Sequence, residues 1–339
     1  MVAKYTSDLS FGNYQWGGRH GGPMRLDAID DVEDPSPDPF SGLSDAQLTR
    51  LTPPQGVATG ALTATTETFN LDLELKSNAQ RLHPQVLDVP DTDGTILAYS
   101  NTTALDTSGE VLVFDGTNQV AAFSMSRFES GTFLEQGSQP RLLYTGRTIL
   151  GDDVSLQTGL YQAEFCANFT LCPTPTPSLV EAWGAPSPGL NLSAISIDAN
   201  GNLFAFQRAD NNADELRGYA FGDVAPGAST PDSGVVFTSA GRFAPGALAA
   251  LGPKGDDDGW IFTQALNADN TGGDVAAYRY DDAGGTITAR GSNAAVVLTL
   301  VGDPKLLARL LFNDDQDRVW LGVFGASGAA FYVLGRATP

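Results

Sequence analysis

Residues Ile195–Phe206 read ISIDANGNLFAF, and the organisation of the whole chain can be worked out from this stretch. An apolar run ends at Ile197, a corner spans Asp198 to Asn202, and a second apolar run starts at Leu203. Asp and Asn bond their own backbone in turns and Gly takes positive φ, so Asn-Gly between two apolar runs signals a β-hairpin. The same plan returns at Val89–Tyr99 (VPDTDGTILAY), Lys254–Gln264 (KGDDDGWIFTQ) and Asn313–Val323 (NDDQDRVWLGV). Its corners fall at Gly94, Gly201, Gly259 and Arg318, separated by 107, 58 and 59 residues. The first gap is close to twice the others, which predicts a degenerate copy near its middle. Thr145–Leu150 (TGRTIL) resembles the Asp93–Leu97 run (DGTIL) and takes that place.

A unit of this length has room for four short strands. Glu110–Asp115 and Gln119–Met125 are expected to form a hairpin, Leu216–Phe221 to precede Gly234–Thr238, and Asp274–Tyr280 to precede Thr286–Arg290. Four antiparallel strands cannot bury both faces of their sheet alone, so such units stack around an axis. The expected fold is all-β: a single β-propeller of five four-stranded blades, over residues 57–339. The last unit has three strands, in Lys305–Phe312, Val319–Phe324 and Ala329–Gly335. Ala61–Leu75 alternates apolar and polar residues and is expected to supply the fourth, removing an open edge. The same stretch could instead belong to a shortened sixth unit.

Ile195–Phe206 resembles the blade motif of the NHL and gluconolactonase-like propellers, an apolar strand, Asp-x-x-Gly-Asn and a second apolar strand. The resemblance covers one unit closely and implies a blade. The metal-binding Glu, Asn and Asp of the gluconolactonase-like enzymes have no matching motif here, so it implies no ligand set.

Composition agrees with many short strands. The 339 residues include 38 Gly and 20 Pro, with only 17% charged. A net charge of −21 argues against nucleic acid or anionic lipid as partner. No run approaches the ~18 apolar residues that would argue a membrane-spanning helix. With His20 and His83 the only histidines, a multi-histidine metal site is excluded. His83, before Pro84 at a strand start, reads as structural. No nucleophile elbow, phosphate-binding loop, dinucleotide fingerprint or zincin motif is present.

The acidic corners admit two readings. They are Asp91 with Asp93, Asp198 with Asn200, Asp256–Asp258, Asp281 with Asp282, and Asp314, Asp315 and Asp317. Repetition at one point of each unit favours a turn requirement. The alternative is Ca²⁺, for which Asp256, Asp257 and Asp258 are the best candidates, since three carboxylates repel unless a cation lies near; the downstream bidentate Glu of a calcium loop is missing from every copy.

Residues 1–56 read differently: an extended acidic, Pro-rich arm with a short helix expected at Ser44–Leu51, where Ser44 and Gln47 form a capping box. The arm holds Phe11, Tyr14 and Trp16, candidates for docking on a protein partner or a second copy. No signal peptide is visible at the start of the chain. Cys166 and Cys172, with five residues between them, are expected to form a disulfide, which places the protein extracellularly, in a periplasm or on a particle surface. Pro173, Pro175, Pro177, Pro186 and Pro188 mark a long loop after them. N-x-[Ser/Thr] triplets at Asn101, Asn168 and Asn191 would be glycosylated only in a glycosylating host. Trp183, Trp260 and Trp320 are expected in the core. The expected function is a non-enzymatic binding or assembly propeller, with no cofactor required. The alternative is a propeller hydrolase, lactonase- or glycosidase-like, with an axial carboxylate pair or Ca²⁺ site.

Overall fold

A computed structural model describes residues 2–7, 24–29, 45–55, 59–70, 81–88, 95–102, 109–115, 118–124, 127–136, 139–149, 156–164, 178–182, 194–208, 214–221, 235–238, 243–265, 274–291, 295–298, 308–313, 318–325 and 328–335. These residues form twenty-five strands and one 3₁₀ turn at Ala283–Gly285, so the all-β reading holds. No helix among them is long and apolar enough to cross a membrane. In chain order, β1 (Val2–Ser7), β2 (Met24–Ile29), β3 (Asp45–Thr52), β4 (Thr59–Ala61) and β5 (Thr63–Asn70) precede the first corner. A sheet then forms from β6 (Arg81–Asp88), β7 (Thr95–Thr102), β8 (Gly109–Asp115) and β9 (Asn118–Ser124). The next contains β10 (Arg127–Gln136), β11 (Gln139–Ile149), β12 (Leu156–Glu164) and β13 (Ser178–Ala182). A third follows from β14 (Ala194–Ile197), β15 (Leu203–Arg208), β16 (Asp214–Tyr219) and β17 (Val235–Thr238).

The largest sheet consists of two groups. One is β18 (Phe243–Leu251), β19 (Gly259–Ala265) and β20 (Val275–Asp281), with β21 (Thr288–Ala289) and β22 (Ala295–Leu298) both pairing β20. The other is β23 (Ala308–Asn313), β24 (Arg318–Gly325) and β25 (Gly328–Gly335), with β1 and β4. Among the described residues, only the parallel pair Ala247↔Leu311 joins them. β2, β3 and β5 make a separate three-stranded sheet. Nearly all pairing is antiparallel between strands consecutive in sequence, the connectivity expected from tight turns.

Side-chain alternation explains how the sheets stack. On β15, Leu203 and Ala205 join a cluster with Leu143 and Leu160 of the preceding sheet, whereas Phe204 joins a cluster with Leu248, Ile261 and Tyr278 of the following one. On β18, Leu248 and Ala250 face β15's sheet, and Ala249 and Leu251 pack with Val319 and Leu321 of β24. Successive strand residues point to opposite faces, so strands buried on both faces read as continuous apolar runs rather than alternating ones. Each fully buried large side chain contributes about 1.5–3 kcal/mol. The core is thus a series of apolar layers between sheets. The first strand of each sheet also lies against the first strand of the next: β2 by β6, β6 by β10, β10 by β14, β14 by β18, β18 by β23.

Several expectations need correction. Asp45–Thr52 is a strand, not the helix expected at Ser44–Leu51. It is paired along one edge by β2 and along the other by β5. A capping box offers about 1 kcal/mol, too little to hold a helix of two turns against a sheet that pairs both edges. The strand that pairs β25 is Val2–Ser7, in register from Val2↔Leu334 to Ser7↔Ala329. Within Ala61–Leu75, Thr63–Asn70 pairs β3 instead, over a link of only about ten residues, and residues 71–75 lie outside the described residues. A short link costs less closure entropy than a pairing with the distant C-terminal end. The arm expected as extended chain therefore holds three strands. Thr145–Ile149 is not a corner, since it lies within β11 and Gly146 sits opposite both Phe128 and Gly159. The chain reverses between Gln136 and Gln139, which pair with each other.

Candidate functional site

The acidic corner at Asp198 forms a polar junction between two stacked sheets. Asp198 follows the last residue of β14, and its carbonyl accepts from Gly201 N at 3.1 Å, closing the turn to β15. Gly201 adopts φ +83°, a conformation that suits glycine. The Asp198 carboxylate turns inward and is fully buried. Its Oδ1 accepts from Asn200 N at 2.8 Å and Asn202 N at 2.9 Å. Its Oδ2 accepts from Asn202 Nδ2 at 2.8 Å and meets the Tyr280 hydroxyl at 2.5 Å.

Tyr280 belongs to β20 of the following sheet, and its hydroxyl also lies 3.1 Å from Leu251 O. The ring is held between Gly259 and Phe204, the latter with ring centroids 4.7 Å apart. Beyond β20, Asp282 Oδ2 accepts from Asn200 Nδ2 at 2.8 Å and Asn202 Nδ2 at 2.9 Å. Asn202 Oδ1 accepts from Phe221 N at 3.1 Å. Nearby, the two first strands are joined where Ala250 N donates to Ser196 Oγ at 3.2 Å. Burial pushes the Asp198 carboxyl above the usual carboxylate range, opposed by hydrogen bonds from Tyr280, Asn202 and Asn200. Every bond of this carboxylate goes to its own turn or to the neighbouring sheet.

The Ca²⁺ candidates lie elsewhere. Asp256 and Asp257 are exposed in a hairpin whose tip is Gly255 at φ +63°, closed by reciprocal Lys254–Asp257 backbone bonds. Asp258 lies 3.6 Å from Arg279 and 3.7 Å from Arg290, and Arg290 also pairs with Asp281. The cations beside this acidic run are therefore two half-exposed guanidinium groups. Among the described residues, no three His, Cys, Asp or Glu are grouped to hold a metal ion.

Trp320 is fully buried, and Trp260 is half-buried with Arg279 over its ring at 6.0 Å. Phe11, Tyr14, Trp16, His20, Asp91, Asp93, Cys166, Cys172, Trp183, Asp314, Asp315 and Asp317 lie outside the described residues. His83 falls in β6 opposite Ser100. Sequence reading missed Tyr280, Asn202 and Gly252 as parts of the Asp198 junction. Tyr280 stands 82 residues away, and a tyrosine at a strand end carries no motif.

No protein-family model matches the sequence, and no curated protein is similar to it. Solved structures do match. The Penicillium chrysogenum α-L-arabinanase complexed with arabinobiose covers 98% of this chain and 98% of its own, at 12% identity and TM-score 0.52. The PQQ-bound aldose sugar dehydrogenase of Streptomyces coelicolor covers the same shares, at 13% identity and TM-score 0.45. The β-propeller domain of the Trilobed protease from Pyrococcus furiosus covers 86% of this chain and 78% of its own, at 12% identity and TM-score 0.41. Together with the stacked antiparallel sheets, the arabinanase likeness defines the fold as a β-propeller. At such identities the likeness speaks to fold alone.

Proposed function

We propose that the protein is a non-enzymatic binding or assembly propeller that associates through the segment between β1 and β2. The observation that carries this reading is the use of the buried acidic corner. Asp198 spends its whole carboxylate on its own turn and on Tyr280 of the neighbouring sheet, and the described side chains where β14 and β18 meet are Ile195, Ser196, Ile197 and Leu248–Leu251. Chemistry at a propeller axis needs converging ionisable groups; reading the first strand of each sheet as the innermost, β14 and β18 would bring apolar and small residues there.

We read the fold as six units, with β2, β3 and β5 as a shortened one. Support comes from the succession of neighbouring first strands, in which β18 and β23 begin separate units despite their single shared pair. The segment 8–23, bearing Phe11, Tyr14 and Trp16, then links the last unit, through β1, to the first, through β2. Tethering at both ends lowers the ordering cost of presenting an aromatic anchor to a second copy of the chain. A Cys166–Cys172 disulfide would place this assembly outside reducing compartments.

The test is the sedimentation mass of the full chain beside a Tyr14→Ala/Trp16→Ala variant. The full chain should associate and the variant should sediment as a single chain. Equal masses for the two would overturn the proposal.

A further inference from the structure

We propose that the junction between the β14–β17 sheet and the β18–β20 group is a proton-set latch, fastened when Asp198 Oδ2 carries a proton. The argument is a count of hydrogens. Tyr280 Oη lies within bonding distance of two acceptors, Asp198 Oδ2 at 2.5 Å and Leu251 O at 3.1 Å, and a phenol has one hydrogen. With Asp198 ionised, that hydrogen goes to the carboxylate, and the Leu251 carbonyl faces a phenol oxygen with no proton between them. With a proton taken from water onto Oδ2, the carboxyl donates to Tyr280 Oη and the phenol donates to Leu251 O. One unbroken chain then runs from the corner of one sheet through β20 to the end of β18. The other bonds survive the change: Oδ1 still accepts two backbone N–H groups, and Oδ2 keeps a lone pair for Asn202 Nδ2.

The surroundings suit a neutral carboxyl. From β20's side the facing groups are Tyr280 and, past the strand end, Asp282, whose negative charge reaches the site through Asn202 Nδ2. From β18's side they are the Leu251 carbonyl and Gly252, which packs against the carboxylate. Arg279 follows the opposite face of β20 and is engaged with Asp258, while Arg290 is held by Asp258 and Asp281. Among the described residues no cation pairs with Asp198. Burial without a counter-charge raises its proton affinity, in agreement with the upward shift described above.

The sign follows. A carboxyl whose affinity for the proton is higher folded than unfolded gives stability that is complete below the unfolded value, about 3.9. That stability is lost as pH rises through the folded value. Most paired carboxylates act the other way.

The experiment is urea unfolding of the full chain across pH 4 to 8, with Asp198→Asn alongside. The ratio of unfolding constants, native chain over variant, should rise with pH by up to about tenfold per unit over the titrating step. A ratio that does not change with pH would overturn the latch. Tyr280→Phe guards against a variant that fails to fold, because Phe221 already packs over Gly201 as Tyr280 packs over Gly259. Because the phenol chain holds the protonated form more tightly than the ionised one, its loss should move the step to lower pH, and a step at the native position or at higher pH would equally overturn the proposal.

Discussion

Gly259 shows how a residue without a side chain can hold a junction together. A Cβ there would lie 2.3 Å from Tyr280 Cζ, and the ring has Phe204 on its other side, so it cannot simply swing away. We expect Gly259→Ala to destabilise the chain by about 1–3 kcal/mol through overpacking. Gly255→Ala meets open space and should cost only the strain of its φ of +63°, about 1–2 kcal/mol. Gly201→Ala combines both penalties, with φ +83° and Phe221 Cδ2 at 2.6 Å, and should be the worst of the three. Urea midpoints would rank them, and a Gly201→Ala variant as stable as Gly255→Ala would count against this packing. The corner itself was legible in sequence, because Asp198, Asn200 and Gly201 act within one turn. Its partner was not, because what separates Tyr280 from Phe221 is one hydroxyl and the presence of Asp198 in the preceding sheet.

At the scale of elements, hairpins between neighbouring strands were readable, since apolar runs and turn residues sit side by side. β8 with β9 and β24 with β25 lie close to where the sequence placed them. Pairings between distant segments were not readable. VAKYTS at Val2–Ser7 has modest alternation and gains its place only by lying along β25, with β4 parallel on its other edge. A chain lacking residues 1–8 would leave β25 with an unpaired row of backbone groups, an edge prone to intermolecular pairing. We expect it to aggregate on mild warming, followed by light scattering. A truncated chain that stays as soluble and as heat-resistant as the native one would show that β1 does not protect that edge. The helix expected at Ser44–Leu51 failed for the related reason that a local cap was weighed without the two strands that bracket it.

Across the whole molecule, the repeat of about 55 residues gave the stacking principle, and two segments depart from its pattern. Thr145–Leu150 imitates a corner, yet Thr145–Ile149 lies inside β11, and β2, β3 and β5 show no acidic corner of the repeated type among the described residues. Function was harder to read than fold, because the acidic residues that suggest chemistry in sequence are consumed, where described, by turns, arginines and sheet junctions. The most direct measurement is a crystal structure of the full chain grown with Ca²⁺. The account predicts six stacked units, Val2–Ser7 along β25, apolar contact where β14 meets β18, no ion on Asp256–Asp258, and Tyr14 and Trp16 against a neighbouring copy. A Ca²⁺ held by those aspartates, or two carboxylates facing each other across the axis at the roughly 5–10 Å that glycoside hydrolysis uses, would contradict it.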